Sequence, residues 1–454
     1  MKNFFFRYLF PILSKKHQDF VIAKYQGPIS KRLIKGASYS LTGSVSTKIL
    51  TLVSSIIVAR LLGSKHFGEL GMVLSTTNMF TVLAGFGLGV TSTKFVAEYR
   101  SIDPNKAGQV ISTTNFFASV FGGICSVLFF LVAPSISETS IHAPYLTQHI
   151  RISAIILFFS AINGAQVGAL SGLEDFKSIA RINIISALLL LILQIILTFL
   201  FGLIGALIAI GINSLVTYFL FFFGIRQTAD KFGIKIKLTW SVTNISYLWK
   251  FSLPAFLGVI VVSVTTWYIN TTLVRQDNGF NEMAVISAIQ PWTNFVLFIP
   301  MVISSISLPI FSNVANDKNT LIRIIKINSV ASFLFGLTIA LCFTLFSKII
   351  MAFYGPTYKS YWGVLVILCF AAVLNAMNST IGQVIASLNK MWLGFLLNSI
   401  FSIVFLFFGM VFIVIYKYGA TGFAYAYLLA YTIHSICVSI ASMIFIKKIN
   451  TVNN

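Results

Sequence analysis

The chain has 454 residues, 57% of them hydrophobic and only 9% charged, with a mean hydropathy of +0.90 and a formal net charge of +21. A water-soluble domain carries roughly a quarter of its residues as charges, so a soluble globular fold is excluded and lipid is part of this protein's solvent. The basic residues are scattered over many short segments rather than gathered in one folded patch, so a nucleic-acid partner is not expected.

The chain opens with "FFFRYLFPIL", too short for a secretory signal and followed by a basic polar stretch with no small-residue cleavage site. Segment 1–35 is expected to lie on the cytoplasmic membrane surface with its Phe side down; a disordered tail is the alternative. Apolar runs of about 20 residues then predict twelve spans, near 36–62, 70–95, 111–134, 152–172, 179–201, 202–224, 247–273, 284–310, 327–351, 361–388, 391–416 and 419–446.

Span one contains "GSVSTKILTLVSSIIVARLLG" (43–63), with Lys48 about 18 Å deep at 1.5 Å per residue. Its helical neighbours Ser44, Thr51 and Ser55 are hydroxyls, so one face is polar and cationic. Burying the ammonium costs about 2.5–3.5 kcal/mol even on the lenient insertion scale. Snorkelling is the alternative, but the depth favours a wet cavity facing the bundle interior. Span two carries Gly85, Gly87 and Gly89, which permit bending or close approach. Lys94 and Glu98 follow at its cytoplasmic end, as a surface ion pair or part of the cytoplasmic mouth. Span four presents Ser160, Asn163 and Gln166. The run Ile182–Phe223 is twice the length of one crossing and must reverse at "LFGLIG" (200–205). Span seven has Ser263, Thr266 and Asn270; span eight has Ser287, Gln290 and Asn294 among three prolines; span ten has Asn375, Asn378, Ser379 and Gln383. Each of these polar stripes fits either interhelical hydrogen bonding or a cavity that hydrates sugars.

With the N-terminus inside, 22 of the 32 basic residues fall in cytoplasmic segments and five in outside loops, which favours both termini in the cytoplasm. The two halves also repeat. "VARLLGSKHFGELGM" (58–72) answers "LVRQDNGFNEMA" (273–284), and Gly202 and Gly205 answer Gly419 and Gly422 at an offset of 217. The organisation is therefore an N-terminal lobe (36–224), a cytoplasmic connector (225–246), a C-terminal lobe (247–446) and a tail (447–454). Two such six-span lobes imply alternating access around a central site. Arg60 and Arg275 are repeat mates, as are Glu69 and Glu282. Crossed pairs, Arg60 with Glu282 and Arg275 with Glu69, would close the outer side; interfacial anchoring is the alternative.

None of the eleven acidic residues lies mid-span, and the four cysteines have no disulfide or metal spacing. No cofactor, metal or enzymatic activity is expected, since no Walker motif or catalytic constellation occurs. A buried cation without a buried anion is suited to an anionic substrate. The fold expected is thus an all-α integral membrane protein, twelve transmembrane helices in two pseudo-symmetric lobes around a cavity.

"ARLLGSKHFGELGM" followed by "GFGLGVTSTKFVAEYR" resembles the polysaccharide-transport flippases of the multidrug/oligosaccharidyl-lipid/polysaccharide exporter superfamily, the O-antigen flippases among them. The resemblance implies a multidrug-exporter-like fold with a cationic central cavity. It also implies movement of an undecaprenyl-pyrophosphate-linked oligosaccharide from the cytoplasmic to the periplasmic leaflet of the inner membrane, alongside a polysaccharide polymerase or other export components. Lys48, as the one clearly mid-span basic residue, is sparse for such a cavity. An ion-coupled multidrug or small-molecule antiporter of the same fold is the alternative function; it would be expected to show a cavity carboxylate.

Overall fold

The computed structural model describes residues 28–236, 253–313, 318–387 and 390–448, and among these the secondary structure is helical. Among the described residues the twelve α-helices are α1 (Pro28–Gly85), α2 (Leu88–Tyr99), α3 (Pro104–Ser135), α4 (Thr147–Gly172), α5 (Phe176–Lys231), α6 (Leu253–Val274), α7 (Gly279–Asn313), α8 (Lys318–Leu345), α9 (Ser347–Tyr354), α10 (Trp362–Ser387), α11 (Met391–Gly409) and α12 (Gly419–Lys448). The N-terminal segment before residue 28, residues 237–246 of the connector, residues 247–252 at the start of span seven, the tail beyond 448 and the side chain of Gln383 lie outside the described residues.

Among the described residues, nine stretches are long and apolar enough to cross a membrane. Two of them are too long for one crossing, and each is divided by a glycine. Gly63 breaks α1 at φ 72°, ψ 171°, and Gly202 breaks α5 at φ 58°, ψ −134°, both in the region that a Cβ disfavours. The first break replaces the loop expected between spans one and two with a single residue. The second falls where "LFGLIG" predicts the reversal, and a Cβ on Gly205 would collide there with the Leu197 carbonyl. Span eight lies in α7. Span two is interrupted once more, at Phe86 (φ 38°) and Gly87 (φ 68°), so the glycine-rich stretch bends the helix as well as thinning it.

Burial shows how the lobes meet. One large core draws Val58, Leu70 and Val73 from the first lobe against Leu273, Ala288 and Ile289 from the second. These residues lie toward the end of the bundle where spans one and two join, here called the distal end. Toward the opposite end, each lobe has a core of its own: Val96, Ile111, Leu170 and Phe221 in the first, and Ile381, Leu397 and Val438 in the second. The helices therefore share one core distally and separate cores at the end that carries the connector.

The connector end of the first lobe is tied by polar contacts. The helix of span six runs on to Lys231, and Ile234 folds back into the buried core beside Ala107. Arg100 donates to the Gly172 carbonyl at 3.1 Å and pairs with Glu174, which holds Glu174 in its left-handed conformation. Asp175 caps α5, accepting from the Ser178 amide at 3.0 Å, the Ser178 hydroxyl at 2.7 Å and the Thr228 hydroxyl at 2.6 Å. Burial pushes its carboxyl pKa up, but the Thr228 and Ser178 hydrogen bonds outweigh this and hold it below its ordinary value.

A carboxyl held low when folded contributes stability above its unfolded pKa, about 3.9, and that stability is lost as pH falls through the folded value. The melting midpoint of the detergent-solubilised protein is therefore expected to drop on acidification below about pH 4. Asp175→Asn should melt lower at neutral pH, by the equivalent of about 1 kcal/mol, and should show less acid sensitivity. A variant melting curve that matches the parent at every pH would refute this account.

Candidate functional site

Span one runs along the seam between the lobes, and its polar face is what the second lobe meets. Lys48 lies fifteen residues, and so about 22 Å, from the break at Gly63. It is half-buried; its ammonium donates to the Asn294 backbone carbonyl of span eight at 3.1 Å and sits 5.6 Å from the centre of the Phe298 ring. Ser55 hydrogen-bonds Tyr354, whose hydroxyl also accepts from the Trp292 indole at 3.1 Å. Ser64 closes the line by donating to the Asn281 side-chain oxygen at 2.8 Å.

The gate arginines cross between lobes, but not to the acids. Arg60 donates to the carbonyls of Phe353 (2.6 Å) and Ala352 (3.1 Å), at the C-terminus of α9 in the opposite lobe. Arg275 donates to the carbonyls of Ser140 (2.6 Å) and Thr139 (2.7 Å), at the end of the π-helical turn Ile136–Ser140 that follows α3. This corrects the crossed carboxylate pairs. A helix C-terminus leaves carbonyls without intrahelical donors and carries partial negative charge, so it accepts an arginine as a carboxylate would.

The acids are held elsewhere. Glu69 is 1% exposed, accepts from the Tyr145 hydroxyl at 2.7 Å and lies 2.7 Å from His66 Nδ1. Glu282 accepts from the Tyr361 hydroxyl at 2.6 Å and the Ala420 amide at 2.7 Å. A Cβ on Gly419 would fall 2.6 Å from the Glu282 carboxylate, so a glycine is required there. Tyr145 and Tyr361 stand 216 apart, within the offsets already read in the repeat. Among the described residues, none of Lys48, Arg60 and Arg275 has a carboxylate at ion-pair distance.

The seam is tight where glycines allow it. A Cβ on Gly68 would collide with the Phe280 carbonyl, and one on Gly71 with the Ser287 hydroxyl. Spans two and seven are also joined by Asn270 to Ser75 at 2.8 Å, Trp267 to Thr76 at 3.1 Å and, toward the connector end, the rings of Phe86 and Phe256 with centres 4.5 Å apart.

The other sequence candidates fall in several places. Ser44, Ser55 and Thr266 are half-buried, while Thr51, Gln290 and Asn294 are exposed, so Lys48 is flanked by accessible polar groups. Asn270 is buried in the seam. Asn163 donates to the Ser214 carbonyl at 3.0 Å and Gln166 is 1% exposed; both lie inside the first lobe because that face of α4 is turned toward the lobe's own helices. Asn375 is half-buried in α10. Lys94 and Glu98 are exposed on α2, with the Lys94 ammonium over the Phe95 ring. Sequence reasoning missed Tyr145 and Tyr361, which the repeat offset could have found. It also missed the buried His434, which meets Asn378 at 3.1 Å beside Ser435; a lone His in an apolar span gave no signal.

A family profile described as "Polysaccharide biosynthesis protein" matches residues 33–315. The EPS I polysaccharide export inner membrane protein EpsE of Ralstonia nicotianae is 23% identical over 292 residues, 62% of this chain and 65% of that protein, so the match spans just under two thirds of that relative's length. Stage V sporulation protein B of Bacillus subtilis is 24% identical over 34% of this chain and 30% of its own. The fold is similar to that of an inward-facing multidrug resistance MATE family transporter of the MOP superfamily, with a TM-score of 0.77 at 16% identity, covering 91% of this chain and 99% of that one. The two-lobed exporter fold expected from the sequence is thus the fold found.

The arginine contacts predict how the distal seam responds to mutation. With the native cysteines replaced by Ser, Ser64→Cys should react slowly with a membrane-impermeant maleimide. Arg60→Ala or Arg275→Ala, each losing two exposed hydrogen bonds, should speed that reaction about fivefold, and Gly68→Ala should also speed it by forcing the lobes apart. Labelling rates unchanged by all three substitutions would show that these contacts do not hold the distal seam closed.

Proposed function

Because the chain belongs to the polysaccharide biosynthesis protein family, we propose that it is a flippase. Its substrate would be a polyprenyl-pyrophosphate-linked oligosaccharide, carried by alternating access from the cytoplasmic to the outer leaflet of the inner membrane, with both termini cytoplasmic. The observation that carries this reading is Lys48, a cation at the seam whose hydrogen-bond partner is a neutral backbone carbonyl and whose other neighbour is a ring.

A phosphate oxygen is a better acceptor than that carbonyl, since it carries a full negative charge where the carbonyl offers the ammonium only a dipole. An arriving pyrophosphate would take the ammonium from Asn294 and so weaken one of the contacts between spans one and eight. The exposed Thr51, Gln290 and Asn294 beside it offer hydroxyl and amide groups to sugars. The prenyl chain needs no protein path, because it can remain in lipid while the head group crosses.

The closed distal seam fits the state that receives substrate from the cytoplasmic side. Passage outward then requires Arg60 and Arg275 to leave their carbonyls. Two negative charges moving outward across 100 mV, inside negative, gain about 4.6 kcal/mol. That driving force suits an anionic substrate without a mid-membrane carboxylate to carry a coupling ion.

The test is flipping of a labelled lipid-linked oligosaccharide in proteoliposomes. Lys48→Ala should slow it by about 10- to 100-fold, the worth of a hydrogen bond to a charged group, while Lys48→Arg should keep part of the rate. Unimpaired flipping by Lys48→Ala would remove the basis of the proposal.

A further inference from the structure

A second cation faces the membrane rather than the seam. Arg151 lies in the first turns of α4, about 6 Å from its start, and lines a crevice of about 450 Å³ between spans three and four. Its guanidinium carbon is 5.1 Å from the centre of the Phe130 ring, and its Nε is buried without a hydrogen-bond partner. Apart from Arg151, the lining is Gln148 and largely apolar residues, with no acid among them. Val127, Leu131 and Ile155 are all exposed, so the crevice opens onto the lipid face.

The repeat shows that the fold does not require this charge. At the 216-residue offset that relates Tyr145 to Tyr361, Gln148 corresponds to Val364 and Arg151 to Ile367. Val364 is buried in the second lobe, so the corresponding position there is apolar packing. The first lobe alone has a cation and an amide here, at a helix N-terminus whose free N–H groups also favour anions.

We propose that this crevice binds one phospholipid of the distal leaflet, with its phosphodiester on Arg151 and Gln148 and an acyl chain along Val127, Leu131 and Ile155. A guanidinium facing hydrocarbon needs an acceptor, and a phosphodiester matches its planar fork of donors. The apolar remainder of the lining selects a lipid over a free ion. The site is independent of the flippase reading.

Native mass spectrometry of the full chain, titrated with phosphatidylglycerol, tests the proposal. The parent should show one adduct that saturates. Arg151→Gln should weaken it about fivefold or more, the scale for one basic residue near a charged lipid surface, and Arg151→Lys should weaken it less. Leu131→Trp, which fills the groove and keeps the charge, should remove it; this variant carries the test if Arg151→Gln does not fold. Inorganic phosphate should not displace the adduct. Binding by Arg151→Gln or Leu131→Trp equal to the parent would overturn the proposal. So would displacement by inorganic phosphate, or a preference for a polyprenyl phosphate over the phospholipid.

Discussion

The charged contacts that join the two lobes at this seam set a cation against a backbone carbonyl. Lys48 reaches Asn294, Arg60 reaches Ala352 and Phe353, and Arg275 reaches Thr139 and Ser140. At the half-buried Lys48 a carboxylate would bind more strongly and be costlier to separate, while at the exposed Arg60 and Arg275 it would add little. It would also neutralise the cations. Glu69 and Glu282 lie near the arginines in sequence, yet each is engaged by a tyrosine of its own lobe. The acids thus hold each lobe together, and the cations are left for contacts that can be exchanged.

Duplication explains much of this arrangement, and departures from it mark where the lobes differ. The paired arginines, the paired Glu–Tyr contacts and the positive-φ breaks, Gly63 answered by Asn278 and Gly202 by Gly419, belong to a common plan. Gly419, the mate of Gly202, is set against Glu282. Lys48 has no cationic counterpart: the residue 215 positions on is Ser263. Arg151 is likewise matched by Ile367. His66 beside Glu69 has no equivalent donor in the second lobe, where the Ala420 amide serves instead. Cations that survive on one side of a duplicated scaffold cannot be explained by the packing both halves share.

The legible part of the fold was whatever leaves a mark in composition or period. Apolar runs gave the spans, the excessive length of Ile182–Phe223 demanded the turn at Gly202, and the repeated Arg and Glu signalled two related lobes. Lys48 stood out because an ammonium in an apolar run is costly. The partners of Arg60 and Arg275 were not legible, because a backbone carbonyl looks the same at every residue and becomes a strong acceptor only at a helix end. For the same reason a polar stripe did not reveal which way it faced. Asn163 and Gln166 stand three apart and the accessible Gln290 and Asn294 four apart, both spacings that share a helix face, but rotation of α4 within its lobe turns the first pair inward.

The exposure of the two arginines bears on how readily the seam opens. A fully buried charge losing its partners would forfeit several kcal/mol. Arg60 and Arg275 are both exposed, so water can replace the carbonyls as they part. The net value of each bond then falls toward the lower end of the range for hydrogen bonds, about 0.5–1.5 kcal/mol. Opening the distal side thus costs a few kcal/mol in polar contacts. That is comparable to the roughly 2.3 kcal/mol that each charge gains per 100 mV. It is also within what an anion could contribute by binding one state of Lys48 better than the other.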